Sequence, residues 1–149
     1  MKVLTVWQPF ASLLVAGIKE NETRSWPTEY RGELLIHAAK KPVKEVMKLM
    51  SQEAIKEATR LLREAGVAEK LDDLPTGCIV GFANLVDVVK TGETEVSDTE
   101  RLLGDWTRGR YGWKMTDPVR FHEKIEAKGQ QGLWNYKSNT LNNIMRHYW

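Results

Sequence analysis

The apolar segment from Cys78 to Val89 constrains the fold of this chain more than any other. Its sequence, CIVGFANLVDVV, is rich in β-branched and aromatic residues and almost continuous in apolar character. This composition predicts a central strand that is buried on both faces. Gly81 indicates a bulge or bend within the strand, which would help a small sheet to close on itself.

Further segments with strand character lie on both sides of this central strand in the sequence. Each is short and ends at a proline, a glycine or a polar turn. The predicted strands cover residues 3–7, 20–26, 33–39, 78–89, 109–116, 119–127 and 133–136. The Asp117–Pro118 dipeptide predicts a turn between the fifth and sixth of these segments. About six short strands with few helices predict an α+β fold, a small closed β-barrel with helices packed outside.

Three segments have helical patterns. Residues 9–17 begin with a proline and end with a glycine, which predicts a short helix. Apolar residues within 42–66 recur at i, i+3, i+4 and i+7, which predicts one long amphipathic helix. Ser97 and Glu100 have the spacing of a capping box for a short helix over residues 98–103.

The composition is typical of a globular protein, with 42% hydrophobic and 28% charged residues among 149. We expect one domain over residues 1–149, in which residues 137–149 are helical or form a loosely docked tail. No apolar run approaches the ~20 residues that cross a bilayer, and the N-terminus lacks a signal-peptide pattern. No membrane partner and a cytoplasmic location are therefore expected. Cys78 is the only cysteine and no paired-histidine motif occurs, so no disulfide, metal site or cofactor is predicted.

A cluster of charged residues directly follows the first predicted helix. The spacing Gly17-x-Lys19-x-x-Glu22-x-Arg24 brings two cations and a carboxylate close together in the sequence. Such a cluster can form surface ion pairs, or it can bind phosphate through the arginine fork and the lysine. It can also catalyse, with Glu22 as a general base and Lys19 either lowering the pKa of Glu22 or stabilising an oxyanion. The spacing alone leaves these three interpretations open.

Basic and aromatic residues recur later in the chain, although the net charge is only +2. Residues 106–124 contain five basic residues against two acidic ones. This distribution is what a nucleic-acid surface needs, and it also occurs as ordinary surface scatter. Trp26 is expected in a cleft beside Arg24, Trp7 and Trp113 are open between core and stacking roles, and His37 is expected in the core.

The residues of the N-terminal half resemble the ASCH domain, a module named for its homology to the activating signal cointegrator. The family signature G-x-K-x-x-E-x-R is met in full at Gly17, Lys19, Glu22 and Arg24. The flanking runs that also resemble the family are residues 8–15, 25–26, 30–37, 77–81 and 109–113. The resemblance extends over most of the chain, to about Tyr136.

The resemblance implies a PUA-like β-barrel with a cleft beside the signature and a role in binding RNA or another nucleic acid. Some similar proteins are ribonucleases. A shorter bacterial branch hydrolyses N4-acetylcytidine with a lysine and a threonine in the same local pattern. Lys19 matches that lysine, but Glu22 occupies the threonine position. Strand alternation predicts that the neighbouring Thr23 faces away from the site.

These considerations lead to one hypothesis and two alternatives. The chain binds RNA, single-stranded nucleic acid or a modified nucleoside in a cleft beside the signature. The predicted contacts are Lys19, Arg24, Trp26, Arg31, Arg110 and Tyr111, the arginines on phosphates and the aromatic side chains stacked on bases. The first alternative is a small hydrolase, either a ribonuclease or an amidohydrolase on a modified nucleoside, with Lys19 and Glu22 as the acid–base pair. The second is a protein-interaction module without affinity for nucleic acid.

Overall fold

The computed structural model describes residues 1–148, and Trp149 lies outside them. Over residues 1–148 the fold consists of six strands and five α-helices. The strands are β1 (Lys2–Val6), β2 (Asn21–Arg24), β3 (Gly32–Ala38), β4 (Cys78–Lys90), β5 (Tyr111–Glu126) and β6 (Leu133–Asn135). The helices are α1 (Phe10–Val15), α2 (Val43–Met47), α3 (Gln52–Glu64), α4 (Asp98–Leu102) and α5 (Asn139–Met145), with a short 3-10 turn at Leu71–Asp73.

The six strands form one sheet in the order β2-β5-β4-β3-β1-β6. β1 and β3 are parallel, and every other neighbouring pair is antiparallel. Within residues 1–148 no ladder joins β2 to β6, so the sheet curls as a half-barrel with two edges and not as a closed ring. The predicted α+β fold of about six strands is confirmed in this form.

Helix α1 lies in the hollow of the curled sheet and touches strands β1 to β5. Its residues Leu14 and Val15 pack in a buried apolar cluster with Leu34 of β3 and Val80 of β4. Gly81 faces this helix, and a Cβ atom there would collide with the backbone oxygen of a β5 residue and press on Val15. The β4–β5 register also shifts at Gly81, as predicted from the glycine.

A second apolar cluster covers the opposite face of the sheet. Phe82, Phe121 and Trp134 pack there with Leu141 and Met145 of the C-terminal helix α5. Both α5 residues are at most 1% exposed, so the helix is docked on the sheet. The last residue of the tail predicted over 137–149 lies outside the described residues.

The prediction of one long helix over residues 42–66 was wrong. The helix is interrupted between α2 and α3, and Ser51 starts α3 by accepting a hydrogen bond on Oγ from the Ala54 N–H at 3.0 Å. The apolar period continues across the break because α2 and α3 bury their apolar faces in the same cluster. The interruption leaves Leu49 70% exposed.

Two strand predictions also need correction. The segments at 109–116 and 119–127 form one strand, β5, which continues through Asp117 and Pro118. Thr116 pairs opposite Asn84 and Val119 opposite Phe82, so the dipeptide is a bulge, with Asp117 at φ +52°. In addition, β4 is buried on both faces only in its first half, and Val86 is 45% exposed.

Candidate functional site

An open cleft of about 690 Å³ lies over the edge strand β2. One wall comes from α2, α3 and the connection between them, and another from the segment that follows α4. The residues that line it are Thr5, Val6, Trp7, Phe10, Glu22, Thr23, Arg24, Ser25, Trp26, Val46, Leu49, Met50, Ala54, Leu102, Leu103, Gly104, Asp105, Arg110, Gln130 and Gln131. The cleft therefore has a polar floor and one aliphatic wall.

Strand β2 forms the floor of the cleft. It pairs with β5 alone, and its first three residues are buried although it is an edge strand. The Arg24 Nη1 group donates to Glu22 Oε2 at 3.2 Å, and Nη2 donates to the Thr5 carbonyl at 3.3 Å. The fork of Arg24 is thus held by the protein. The hypothesis from the sequence placed this fork on a phosphate, and ion pairing was another interpretation that the spacing left open.

Glu22 lies at the cleft with only 9% of its surface exposed. Burial raises the pKa of its carboxyl group above the ordinary value, against the opposing effects of Arg24, Lys19 and Arg110. The sequence interpretation that Lys19 lowers this pKa has the right sign for that one interaction, but desolvation outweighs it. A carboxyl group with a raised pKa in a cleft is a recurrent feature of functional sites.

Lys19 does not line the cleft. It is 2% exposed, and its Nζ lies 3.5 Å from Oε1 of Glu100. Burial lowers the pKa of the lysine, with Glu100 and Glu22 acting in the opposite direction. The carboxyl group of Glu100 also accepts a hydrogen bond from the Glu20 N–H at 2.6 Å. Lys19 and Glu100 therefore fasten α4 to the residues just before β2, behind the cleft floor.

The role of Glu100 was not predicted from the sequence. Ser97 does cap α4, because its Oγ accepts from the Glu100 N–H at 3.2 Å. The Glu100 side chain, however, does not return to the cap as a capping box would, and instead turns inward to Lys19. No sequence signal links these two residues, since they are far apart in the chain and each has an ordinary local interpretation.

Arg110 enters the cleft from the residue before β5. Its Nη2 group donates to the Thr23 carbonyl at 3.1 Å, and its Nε lies 3.5 Å from Oδ2 of Asp105. The Asp105 N–H in turn donates to Thr23 Oγ1 at 3.3 Å. Thr23 lines the cleft, contrary to the prediction from strand alternation, because the segment carrying Asp105 covers the edge of β2. Asp105 was not predicted as a site residue.

Two tryptophans, Trp7 and Trp26, border the cleft, and Trp113 supports the second of them. Trp7 is 44% exposed, with the Lys41 ammonium 4.6 Å from its ring centre. Trp26 is half-buried and meets Trp113 edge to face at 4.8 Å, and the Arg24 guanidinium lies 5.7 Å from its ring. Trp113 is fully buried and donates its indole N–H to the Trp26 carbonyl at 3.1 Å. The open question from the sequence is thus decided: Trp7 faces the cleft and Trp113 belongs to the core.

Residues 4–136 match the sequence profile of the ASCH domain. The chain belongs to the ASCH domain family. Over 137 residues it is 49% identical to human activating signal cointegrator 1 and 33% identical to the mouse protein of the same name. Each match covers 91% of this chain and 22% of the relative, so the chain spans about a fifth of the length of these relatives.

Crystal structures of the ASCH protein from Zymomonas mobilis have the same fold as this ASCH domain. A tyrosine-to-phenylalanine mutant aligns with a TM-score of 0.55 at 16% identity, covering 97% of this chain and 96% of that one. The unmutated protein aligns with a TM-score of 0.53 at 16% identity, covering 98% and 93%. The half-barrel is therefore the PUA-like fold of ASCH structures, and the family is generally RNA-binding.

The cleft of this ASCH domain brings together four of the residues predicted to act: Glu22, Arg24, Trp26 and Arg110. Arg31 does not join them, because it is exposed and donates to the Thr28 and Tyr30 carbonyls of its own turn. Tyr111 packs against the apolar cluster around α1. With Lys19 behind the floor, three predicted contacts lie away from the cleft lining.

His37 was expected in the core, and no metal site was expected. His37 is 1% exposed in β3, and its Nε2 lies 2.6 Å from the Ala127 carbonyl, so the core assignment is confirmed. Burial lowers the pKa of this imidazole. Among residues 1–148 no group of three His, Cys, Asp or Glu side chains could hold a metal ion. None of the helices over the same residues is long and apolar enough to cross a membrane.

Proposed function

We propose that this ASCH domain binds single-stranded RNA and takes one unstacked base into the cleft over β2. The observation that carries the proposal is the ion pair of Glu22 and Arg24 on the floor of an open cleft bordered by Trp7 and Trp26. Single-stranded RNA is read by splaying a base out, stacking it on aromatic rings and hydrogen-bonding its edge. The cleft volume also falls within the ~300–1,000 Å³ of small-molecule sites.

The charges around the cleft favour a base over a phosphate. Three cations, Lys19, Arg24 and Arg110, are matched by three carboxylates, Glu22, Glu100 and Asp105. A phosphate there would meet carboxylates beside every arginine, whereas a neutral base has donors and acceptors that suit both. The phosphates would therefore lie outside the cleft floor, where water screens them.

Replacing Trp7 tests this proposal. Stacking on one aromatic side chain is worth about 1–3 kcal/mol per base, so Trp7→Ala should weaken binding of a short single-stranded RNA by roughly 5- to 150-fold. Trp7 is half-exposed and belongs to none of the three apolar clusters of residues 1–148, so its loss should leave the fold intact. Fluorescence anisotropy with a labelled oligomer of about eight mixed nucleotides measures the change.

Tyr148→Ala is the matched control. Tyr148 is also an exposed aromatic residue, but it packs against Phe82 and Phe121 on the opposite face of the sheet. This variant should bind the oligomer as the unaltered chain does. The proposal fails if the unaltered domain does not bind the oligomer at low salt, or if Trp7→Ala and Tyr148→Ala behave alike.

A second candidate function is hydrolysis of RNA or of a modified nucleoside. It is favoured by one observation, the buried carboxyl group of Glu22 with its raised pKa at the cleft. Glu22 would act as the general base that takes a proton from an attacking water, with Arg24 and Arg110 beside the developing negative charge. Lys19, the predicted acid, would act only through its charge, since it lies behind the floor.

Product analysis separates the two functions. A hydrolase releases shortened RNA or a deacylated nucleoside, and Glu22→Gln should lower its turnover by roughly 10²-fold or more while binding persists. A binding domain releases no product even in the unaltered chain. Chromatography of RNA oligomers and of acylated and methylated nucleosides after incubation with the protein decides between them.

A further inference from the structure

The carboxyl group of Glu22 keeps one oxygen free for a ligand. Oε2 accepts from Arg24 Nη1, but no donor within residues 1–148 reaches Oε1. Oε1 is also not among the polar atoms that the fold seals from solvent, and the residue lines the cleft. An ionised carboxyl group is an acceptor only, so the floor presents one anionic acceptor to whatever enters.

Two guanidinium groups supply donors beside this acceptor. A guanidinium has five N–H groups, and the hydrogen bonds of Arg24 to Glu22 and Thr5 use two of them. Arg110 uses Nη2 for the Thr23 carbonyl, and within residues 1–148 its Nη1 has no acceptor. Both arginines line the cleft, so the floor offers a ligand one acceptor, Glu22 Oε1, and two separate sources of donors.

The four RNA bases differ in how well their hydrogen-bonding groups complement one acceptor and two sources of donors. The Watson–Crick edge of uracil has one donor, N3–H, and two acceptors, O2 and O4. Cytosine also has one donor group, the N4 amine, and two acceptors, N3 and O2. Guanine has two donor groups and one acceptor on this edge, and adenine has one donor group and one acceptor. Only a pyrimidine matches one acceptor and two donor sources without leaving a partner unused.

We propose that the cleft recognises the Watson–Crick edge of a pyrimidine, with Glu22 accepting from its N–H group and Arg24 and Arg110 donating to its two acceptors. This specificity rests on the proposed RNA binding and adds the class of base to it. A purine would bring either a second donor to an arginine or too few acceptors. An unmatched charged group in a site costs more than a matched one gains, so discrimination follows.

Homopolymeric oligomers of about eight nucleotides test the base class. We expect oligo-uridylate or oligo-cytidylate to bind at least about tenfold more tightly than oligo-adenylate and oligo-inosinate, the latter a purine ribonucleotide that avoids guanine quadruplexes. If no oligomer binds, the proposed RNA binding itself fails. If all bind within a factor of two or purines bind better, RNA binding stands and the pyrimidine specificity is wrong.

A ligand-side change tests the role of the N–H group without altering the protein. Methylation at N3 of uridine, or double methylation at N4 of cytidine, removes the donor that Glu22 would accept. The methylated form of whichever pyrimidine binds more tightly should lose about tenfold in affinity. Unchanged affinity after methylation would overturn the assignment to Glu22.

Protein variants then test the two sides of the site. In Glu22→Gln the amide oxygen can stay with Arg24, which turns its NH₂ group towards the cleft and replaces the acceptor with a donor. The preference of the domain for uridine oligomers over their N3-methylated forms should then disappear. Arg110→Ala should lower affinity for the pyrimidine oligomer, whereas Arg31→Ala, an exposed arginine outside the cleft, should leave it unchanged. Equal effects of the two arginine variants would contradict the proposal.

Discussion

The two faces of the curled sheet differ in the residues that are buried against them. On the face opposite the cleft, α5 is docked by Leu141 and Met145 on aromatic residues of the sheet. On the cleft side, Lys19 and Glu100 are both at most 5% exposed and meet in a single ion pair. Both faces rely on apolar burial, which has no direction, and the cleft side adds a buried ion pair whose two charges must meet at one place.

This difference has an energetic meaning. Apolar burial stabilises the fold roughly in proportion to the area removed from water. A buried ion pair must first overcome the desolvation of two charges, and apolar replacement of such a pair is often neutral or stabilising. Stability alone therefore does not account for the buried charges next to the cleft, which agrees with a functional role for that side of the sheet.

The largest effect is expected from breaking the buried ion pair. Lys19→Met leaves Glu100 buried without a counter-charge, which should cost about 3–5 kcal/mol of unfolding free energy. Urea denaturation followed by tryptophan fluorescence measures the loss. The double variant Lys19→Met with Glu100→Gln should recover at least half of it, because the neutral amide can still accept from the Glu20 N–H. A single variant that costs less than about 1 kcal/mol would contradict the pairing.

The next effect concerns the apolar face. Met145→Ala removes a fully buried side chain of α5 and should cost about 2–5 kcal/mol of unfolding free energy. At a temperature where the variant remains folded, its affinity for RNA should equal that of the unaltered chain, because α5 lies on the opposite face. Asn143→Ala, an exposed change on the same helix, is the control for stability. A loss of RNA affinity in the folded variant would show that the α5 face and the cleft are not independent.

The smallest effect is a pH dependence on the cleft side. The pKa of Glu22 in the folded protein is raised above the ordinary value of 4.5, mainly by burial. At a pH between the pKa of Glu22 in the unfolded state and its higher pKa in the folded state, the folded protein holds a proton that the unfolded chain has lost. The unfolding free energy therefore falls as pH rises through this range. Glu22→Gln lacks this titration, and its stability relative to the unaltered chain should therefore increase as pH rises above 4.5.

Urea denaturation of both proteins between about pH 4 and pH 8 measures this trend. Groups that do not interact with Glu22, such as His37, contribute equally to both curves and cancel in the difference. Lys19 does interact with Glu22, so the difference reports Glu22 together with that interaction. Glu29→Gln removes an exposed carboxylate and is the control for the loss of one negative charge. A difference for Glu22→Gln that is flat with pH would show that its carboxyl group is not desolvated by the fold.

Features that depend on neighbouring residues were predicted well from the sequence. Gly17 ends the turn after α1 with φ +75°, as a glycine after a short helix indicates. Ser97 caps α4, and the strand segments at the N-terminus, the centre and the C-terminus occur close to their predicted positions. Each of these depends on local backbone preferences and on side-chain period, which the sequence contains directly.

Features that depend on several neighbours at once were missed. The break between α2 and α3 leaves the apolar period intact, so only the cap at Ser51 marked it. The Asp117–Pro118 dipeptide is typical of a turn, yet pairing with β4 on both sides keeps it within one strand as a bulge. In the second case, pairing with a neighbouring strand outweighed the local turn preference.

The amino-acid sequence by itself determined the family, the strands and the signature residues Lys19, Glu22 and Arg24. Only the tertiary structure decided what each charge does: Lys19 is buried against Glu100, Arg24 is held by Glu22 and Thr5, and Arg110 joins them from the residue before β5. Desolvation and pairing depend on groups that folding brings together from distant parts of the chain, and their spacing in the sequence does not record them.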